Sequence, residues 1–345
     1  MDDLLYHRFT GYDALTDLLV GSDEDVLVAL SGKPALILVP GTDPRPRARF
    51  VACLLHGNED SGFRAVLELL RRKERHPFDL WVFIGNTRAA RQEGWFAHRF
   101  LDDQEDFNRV WGLEHPTTRM RRCADAVFAE ITASDLEAAI DLHNNTGDNP
   151  PYAVLPVRSE QGLRLAALCA ETALLWHLEV HALMEALSPH CPVVAVECGR
   201  SGVPAGTRYA MGAIDRFLAA ALDGSGPEAP NRVFEMLARV TVRQEVPFAF
   251  GGVISDGIDL VLHPGLDTTN FGMLLAGTEL GRVHPGTALP LCAEGPDGAD
   301  EADDYFAVRP DGALVVTQDL TPAMFTITVV QARRDCLFYL VRRRI

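Results

Sequence analysis

The feature that most constrains this chain is a rhythm of short apolar runs separated by amphipathic stretches. Residues 34–40 (PALILVP) and 49–55 (RFVACLL) are rich in branched side chains and bounded by turn formers, so both read as strands. Between residues 62 and 76, Phe63, Val66, Leu67 and Leu70 fall at helical spacing, and residues 80–84 form another strand-like run. A strand, helix, strand unit requires a sheet with helices packed on it. The loop after its first strand carries His56-Gly57-Asn58-Glu59, at the strand end where open sheets bind ligands.

The rhythm continues. Residues 86–118 are polar and lack clean periodicity, which predicts a long loop layer over the strand ends, with room for a short helix. A helix is expected over 119–134, a strand over 138–142 running into His143, and a long helix over 160–187. A β-branched strand over 193–196 then ends at Glu197, and 205–222 reads as the next helix. Three strand ends thus deliver His56 with Glu59, His143, and Glu197.

At 223–230 (DGSGPEAP) the composition shifts to a Gly/Pro-rich joint, and beyond it only short extended runs appear, at 240–246, 259–262, 314–317 and 325–330. The expected fold class is therefore α/β, a mostly mixed β-sheet flanked by helices, with a smaller β-rich C-terminal domain. Residues 1–225 would form the α/β domain with an N-terminal extension, and 226–345 the second domain. A chain of 345 residues suits two domains.

A formal charge of -16 argues against a nucleic-acid surface, which needs clustered Lys and Arg. No run has the length of a membrane span, and Met1 is followed by two aspartates rather than the basic and apolar profile of a signal peptide. The expected setting is the cytoplasm, with no membrane partner. Seven cysteines between Cys53 and Cys336, with no Cys-x-x-Cys pair, read as buried thiols and not as a disulfide framework. Cys198, beside Glu197, reads as a packed thiol as well. The acidic run 294–304 reads as a solvated loop, lacking the ordered spacing of a calcium loop.

Two imidazoles and a carboxylate form the ligand set of a catalytic zinc with one position open to water. An isolated His-x-x-Glu among eleven histidines carries little weight. Its place after an apolar strand, with His143 ending another, raises that weight, and His56, Glu59 and His143 become candidate ligands of one zinc per chain. Asp141 lies on the same side of its strand as His143; it either accepts from the non-ligating imidazole nitrogen or fixes the polar loops. Glu197, held at the end of a rigid strand, is either a surface carboxylate or a base that takes a proton from water and returns it to a leaving amine. In the polar stretch, Arg99, Asn108 and Arg109 are candidates for clamping a carboxylate or stabilising an oxyanion. Spacing alone does not single out Arg109 from its neighbours.

At these residues the chain resembles the succinylglutamate desuccinylase and aspartoacylase family, itself related to the zinc carboxypeptidases. His56-Gly57-Asn58-Glu59 is similar to the family's first zinc-ligand motif, and Asp141-Leu142-His143-Asn144 to the strand bearing its third ligand. Asp106-Phe107-Asn108-Arg109 resembles its Asp-Leu-Asn-Arg motif, and Val196-Glu197-Cys198-Gly199 its Glu-x-Gly motif with the general base. Residues 86–89 resemble its Asn-Pro-x-Ala turn, with Thr87 in place of proline. The resemblance spans about residues 45–215 and implies a zinc carboxypeptidase-like fold, catalytic Glu197 and Arg109, and substrate-binding Arg99, Asn108 and Arg109. Arg109 would lie near the scissile carbonyl or the product carboxylate. Aspartoacylases proper carry a further arginine shortly before the catalytic glutamate, whereas residues 187–191 here contain none, and Arg200 replaces a common proline. Arg158 or Arg200 is left as a candidate for a distal carboxylate contact.

The expected function is zinc-dependent hydrolysis of the amide bond of a small-molecule N-acyl amino acid, giving a carboxylic acid and a free amino acid. The alternatives are carboxypeptidase-type cleavage of a short peptide and a non-hydrolytic acidic binding protein. Self-association into a homo-oligomer stays open.

Overall fold

The computed structural model of the chain describes residues 5–284 and 286–344. Its contacts divide into two compact units, one of Met1–Asn144 with Pro151–Asn231 and the other of Asn145–Pro150 with Arg232–Ile345.

The first unit runs β1 (His7–Thr10), α1 (Asp23–Ala29), β2 (Ala35–Val39), β3 (Ala48–Cys53), α2 (Asp60–Arg72), β4 (Asp79–Ile84), α3 (Thr87–Ala90), α4 (Arg119–Thr132), β5 (Leu136–Asn145), β6 (Tyr152–Leu155), α5 (Glu160–Cys169), β7 (Thr172–Leu175), α6 (Leu183–Leu187), β8 (Val193–Arg200) and α7 (Pro204–Ala219). Among the described residues its strands lie in the order β1-β2-β4-β3-β5-β8-β6-β7. The sheet is mixed: β3 is parallel to β4 and β5, β2 is antiparallel to β4, and β6 is antiparallel to β8 but parallel to β7. Every residue of β3 is buried, which explains its unbroken apolar character, because a central parallel strand is covered on both faces.

Helix α2 packs against α7 and turns Phe63, Val66, Leu67 and Leu70 inward, as the helical spacing requires. Gly62 lets it approach the sheet closely, since a Cβ there would stand 2.6 Å from Leu142 Cβ and 3.1 Å from Cys53 Cβ. The helix is thereby seated over the strands that lead to His56 and His143.

Three expectations fail, the first being the run 240–246, which is strand only to Val242, at the end of an eleven-residue strand, before the chain turns. The long helix over 160–187 is broken: α5 stops at Cys169, Thr172–Leu175 forms β7, and only Leu183–Leu187 returns to helix. The apolar run around Ala173 and Leu174 is fully buried and pairs with β6, and such a run has no intrinsic period to tell strand from helix. Residues 325–330 are not a strand, since a short helix begins at Val329.

The second unit runs β9 (Arg232–Val242), β10 (Phe248–Phe250), β11 (Leu260–Leu262), β12 (Glu279–Val283), β13 (Leu291–Glu294), α8 (Ala302–Tyr305), β14 (Phe306–Val308), β15 (Ala313–Val316), β16 (Thr321–Ala323), α9 (Val329–Arg334) and β17 (Phe338–Arg343). Strand β9 pairs with β13 and β17, while β10-β11-β12-β15-β14 form a separate sheet. Its core includes Phe325 stacked on Phe338, ring centroids 4.4 Å apart, with Phe306 edge-on to Phe338. No helix among the described residues is long and apolar enough to cross a membrane.

Candidate metal centre

The chain leaves β3 through Leu54, whose φ of 58° lies in the left-handed region that costs a non-glycine residue about 1–2 kcal/mol. The kink is held by the Asn86 backbone N–H, which donates to the Leu54 carbonyl at 2.6 Å. Gly57 follows in a slot where a Cβ would meet Ala89 Cβ, the Ala90 nitrogen and the His98 carbonyl at 2.6–2.7 Å. The glycine of the tetrapeptide is thus required by close backbone approach. Glu59 then caps α2, so the loop and the first turn of the helix place His56 and Glu59 side by side.

Their side chains meet His143 from the end of β5. One oxygen of Glu59 lies 2.7 Å from His56 Nδ1, and the other lies 2.8 Å from His143 Nδ1. One ligand atom from each of these residues lies within 4.8 Å of the other two, and all three residues are buried. Each imidazole meets a further carboxylate through its other nitrogen: His56 Nε2 is 2.9 Å from Asp106 Oδ1, and His143 Nε2 is 2.7 Å from Asp141 Oδ2. Asp141 thus reaches the imidazole, not the loops. Asp106, which the sequence motif contains but does not mark with a role, also accepts from Arg99 Nε at 3.0 Å and from the Asn108 backbone N–H at 2.9 Å. The motif position was the available signal; the partner, fifty residues upstream, was not readable.

Burial opposes charge on every member of this cluster, and their mutual attraction overcomes it. For His143, Asp141 and Glu59 outweigh burial and lift the imidazole well above its ordinary range. His56 is raised by Glu59 and Asp106 against burial and Arg99. Burial would raise the Glu59 carboxyl, but the two imidazoles bring it far below the usual range. Asp106 is likewise depressed by His56 and Arg99 against burial.

These directions describe a negative pocket that wants positive charge. If each Nε2–H donates to its own carboxylate, each Nδ1 lone pair faces an oxygen of Glu59, and two acceptors at such distances repel unless a proton or a cation lies between them. Two imidazole lone pairs and a carboxylate, oriented from behind by Asp106 and Asp141, suit a divalent transition metal such as zinc.

Glu197 is buried within β8, which runs on to Arg200 beyond the end expected from the sequence, and it pairs with Tyr152 of β6. Burial raises its carboxyl to about 7, against the opposing pull of His143. The predicted pocket residues fall into two groups. Arg99 faces the cluster, with Nη1 3.8 Å from Glu59 Oε1. Asn108 is buried, with Nδ2 3.5 Å from His143 Nε2 and Oδ1 accepting from the Leu183 N–H at 2.9 Å. Arg109 donates from Nη1 to the Asn108 carbonyl at 2.8 Å, and its charge helps depress Asp106. Arg158 lies beyond Leu155, at the opposite end of β6 from the residue paired with Glu197, and so stands away from this strand edge. Arg200 is exposed.

Residues 47–206 match the sequence model of the succinylglutamate desuccinylase/aspartoacylase catalytic domain. That stretch of the chain is similar to the family's catalytic domain. The match takes in His56, Glu59, Asp106, Asn108, Arg109, His143 and Glu197. Solved structures share the fold at low identity. A succinylglutamate desuccinylase/aspartoacylase from Rhodobacter sphaeroides is 14% identical, with a TM-score of 0.58 over 89% of this chain and 88% of that one. Murine aminoacylase 3 is 16% identical, with a TM-score of 0.58 over 88% and 97%. The product-bound ectoine utilization protein EutE (DoeB) from Ruegeria pomeroyi is 16% identical, with a TM-score of 0.55 over 89% and 88%. No curated protein matches the chain.

Proposed function

We propose that this protein is a zinc-dependent hydrolase that cleaves the amide bond of an N-acyl amino acid to give a carboxylic acid and a free amino acid. The observation that carries this reading is the convergence of His56, Glu59 and His143 in one buried cluster, with Glu197 sensing the charges of all three. His56, Glu59 and His143 would hold the ion. Zinc bound there supplies Lewis-acid polarisation of the carbonyl and lowers the pKa of water.

The chain's own groups do the rest. Glu197, poised near neutrality by burial, accepts the proton of the attacking water and delivers it to the departing amino group. Arg109 turns from the Asn108 carbonyl to the developing oxyanion, the kind of contact worth about 3 kcal/mol. Arg99 and Asn108 orient the substrate, while Asp106 and Asp141 hold the two imidazoles in place. The hydrolytic domain is assigned to residues 1–225 and the accompanying β-rich domain to 226–345. All seven cysteines are free, which suits a reducing, cytoplasmic setting.

The test is Glu197→Gln. This variant should keep about one zinc per chain while losing roughly a hundredfold or more in kcat against acetyl, succinyl and longer acyl amino acids. Turnover at the wild-type rate would remove Glu197 from its role. A wild-type protein that binds no zinc and hydrolyses none of these substrates would remove the assignment itself.

A further inference from the structure

A cavity of about 410 Å³ opens on the same edge of the sheet as the metal cluster. Residues 32–34 just before β2, residues 85–86 just after β4 and the first turn of α4 contribute to its wall. Residues 102–105 and Phe107 complete its wall, and Asp106, Asn108 and Arg109 lie in the same stretch of chain. Phe107 belongs to the cavity lining, while the residues on either side of it, Asp106 and Asn108, contact His56 and His143. The cavity and the metal cluster therefore share one structural element.

The lining divides by chemistry. Leu5, Pro34 and Met120 present apolar surface, with Phe107 and Cys123 buried behind them. Arg88 and Arg119 supply positive charge and Asp102 and Asp103 negative charge, while Glu105 is engaged by Arg121 at 2.7 Å and by Thr118. The ion pair between Arg88 and Asp103, at 2.7 Å, is largely exposed, and such pairs are weak and exchange readily with a charged ligand. The space falls in the range of small-molecule sites, about 300–1,000 Å³. A ligand matched to it has an apolar body and carries one positive and one negative group close together.

We propose that this cavity binds a free α-amino acid with an apolar side chain. The side chain lies against Leu5, Pro34 and Met120, the carboxylate meets the arginines, and the ammonium meets Asp102 and Asp103. Occupancy presses on loop 102–107 and so adjusts the setting of Asp106 and Asn108, making the cavity a regulatory site. That this protein itself releases amino acids rests on the hydrolase reading above; the ligand chemistry of the cavity does not.

The experiment is calorimetric titration of the zinc-loaded full chain with L-leucine, alongside 4-methylpentanoate and isoamylamine, which each keep the apolar body and one of the two charges. Saturable binding of L-leucine is expected, with each single-charge analogue weaker by about tenfold or more. Met120→Trp, which fills the cavity from a half-buried position, should weaken L-leucine at least as much. If that variant does not fold, Arg119→Gln at the exposed mouth serves in its place, with a smaller loss expected. L-leucine should also change kcat/KM for acyl amino acids in the wild type and not in Met120→Trp. No saturable binding at millimolar L-leucine would overturn the proposal. So would binding that neither variant weakens, since the amino acid would then sit elsewhere, including the hydrolytic site. If no acyl amino acid is hydrolysed, the functional reading falls, while the titration still decides the cavity.

Discussion

Strands β3 and β5 carry a buried charged cluster at each end, and the two clusters are built on opposite principles. At the start of β3, Arg49 is 3% exposed, and every nitrogen of its guanidinium has a partner. Nε donates to Glu137 at 2.9 Å, Nη1 to the carbonyls of Phe217 and Leu218, and Nη2 to that of Ala220. Those carbonyls are the unpaired end of α7, where positive charge is favoured. At the other end of the same strands, two imidazoles lie among Glu59, Asp106 and Asp141, and Asp141 Oδ1 has no hydrogen-bond partner among the described residues. The first cluster is complete as folded. The second sets three carboxylates against Arg99 and two imidazoles, and its short contacts require protons on the imidazoles or a cation between them, which is the difference between a structural ion pair and a candidate binding site.

His56→Ala should break the contrast most sharply. On the proposed reading it loses zinc and, with it, several kcal/mol of transition-state stabilisation, about a thousandfold or more in rate. The metal-free fold should survive, as judged by circular dichroism; unchanged zinc content would place the ion elsewhere. Arg49→Met should have the opposite signature, costing about 3–5 kcal/mol in denaturant unfolding because Glu137 and the helix carbonyls lose their partner. Zinc content and kcat per folded molecule should stay at wild-type values; a selective loss of either would show that the two ends are coupled. Asp106→Asn should weaken zinc binding by about 10–100-fold in a chelator competition, since it removes the charge behind His56 without removing a ligand. Arg47 also reaches Glu137, at 3.1 Å, but its side chain is 54% exposed. Arg47→Ala should therefore cost under about 1 kcal/mol, and a cost near that of Arg49→Met would refute the distinction drawn from burial.

Legibility followed the range of each interaction. Periodicity located β2, β3, α2, β4 and α7 because their patterns are local and bounded by turn formers. It merged α5, β7 and α6 into one helix, because a buried strand of four residues leaves no period of its own. His56 and Glu59 could be paired from the sequence because three residues separate them. Arg49 drew no attention, since its partners lie 88 to 171 residues away.

By itself, the sequence determined the alternation that makes an α/β sheet and the side chains that end β3, β5 and β8. It also placed a glycine at position 57, where no Cβ fits. Only the tertiary structure decided that β5 lies between β3 and β8, so that His56, Glu59 and His143 converge and Glu197 stands near them. It alone chose the imidazole as the partner of Asp141 and gave Asp106 a place behind His56. The physical reason is distance along the chain: pattern and propensity act over one turn or one strand, whereas a metal site depends on strand order and register, which are set by pairings between remote segments.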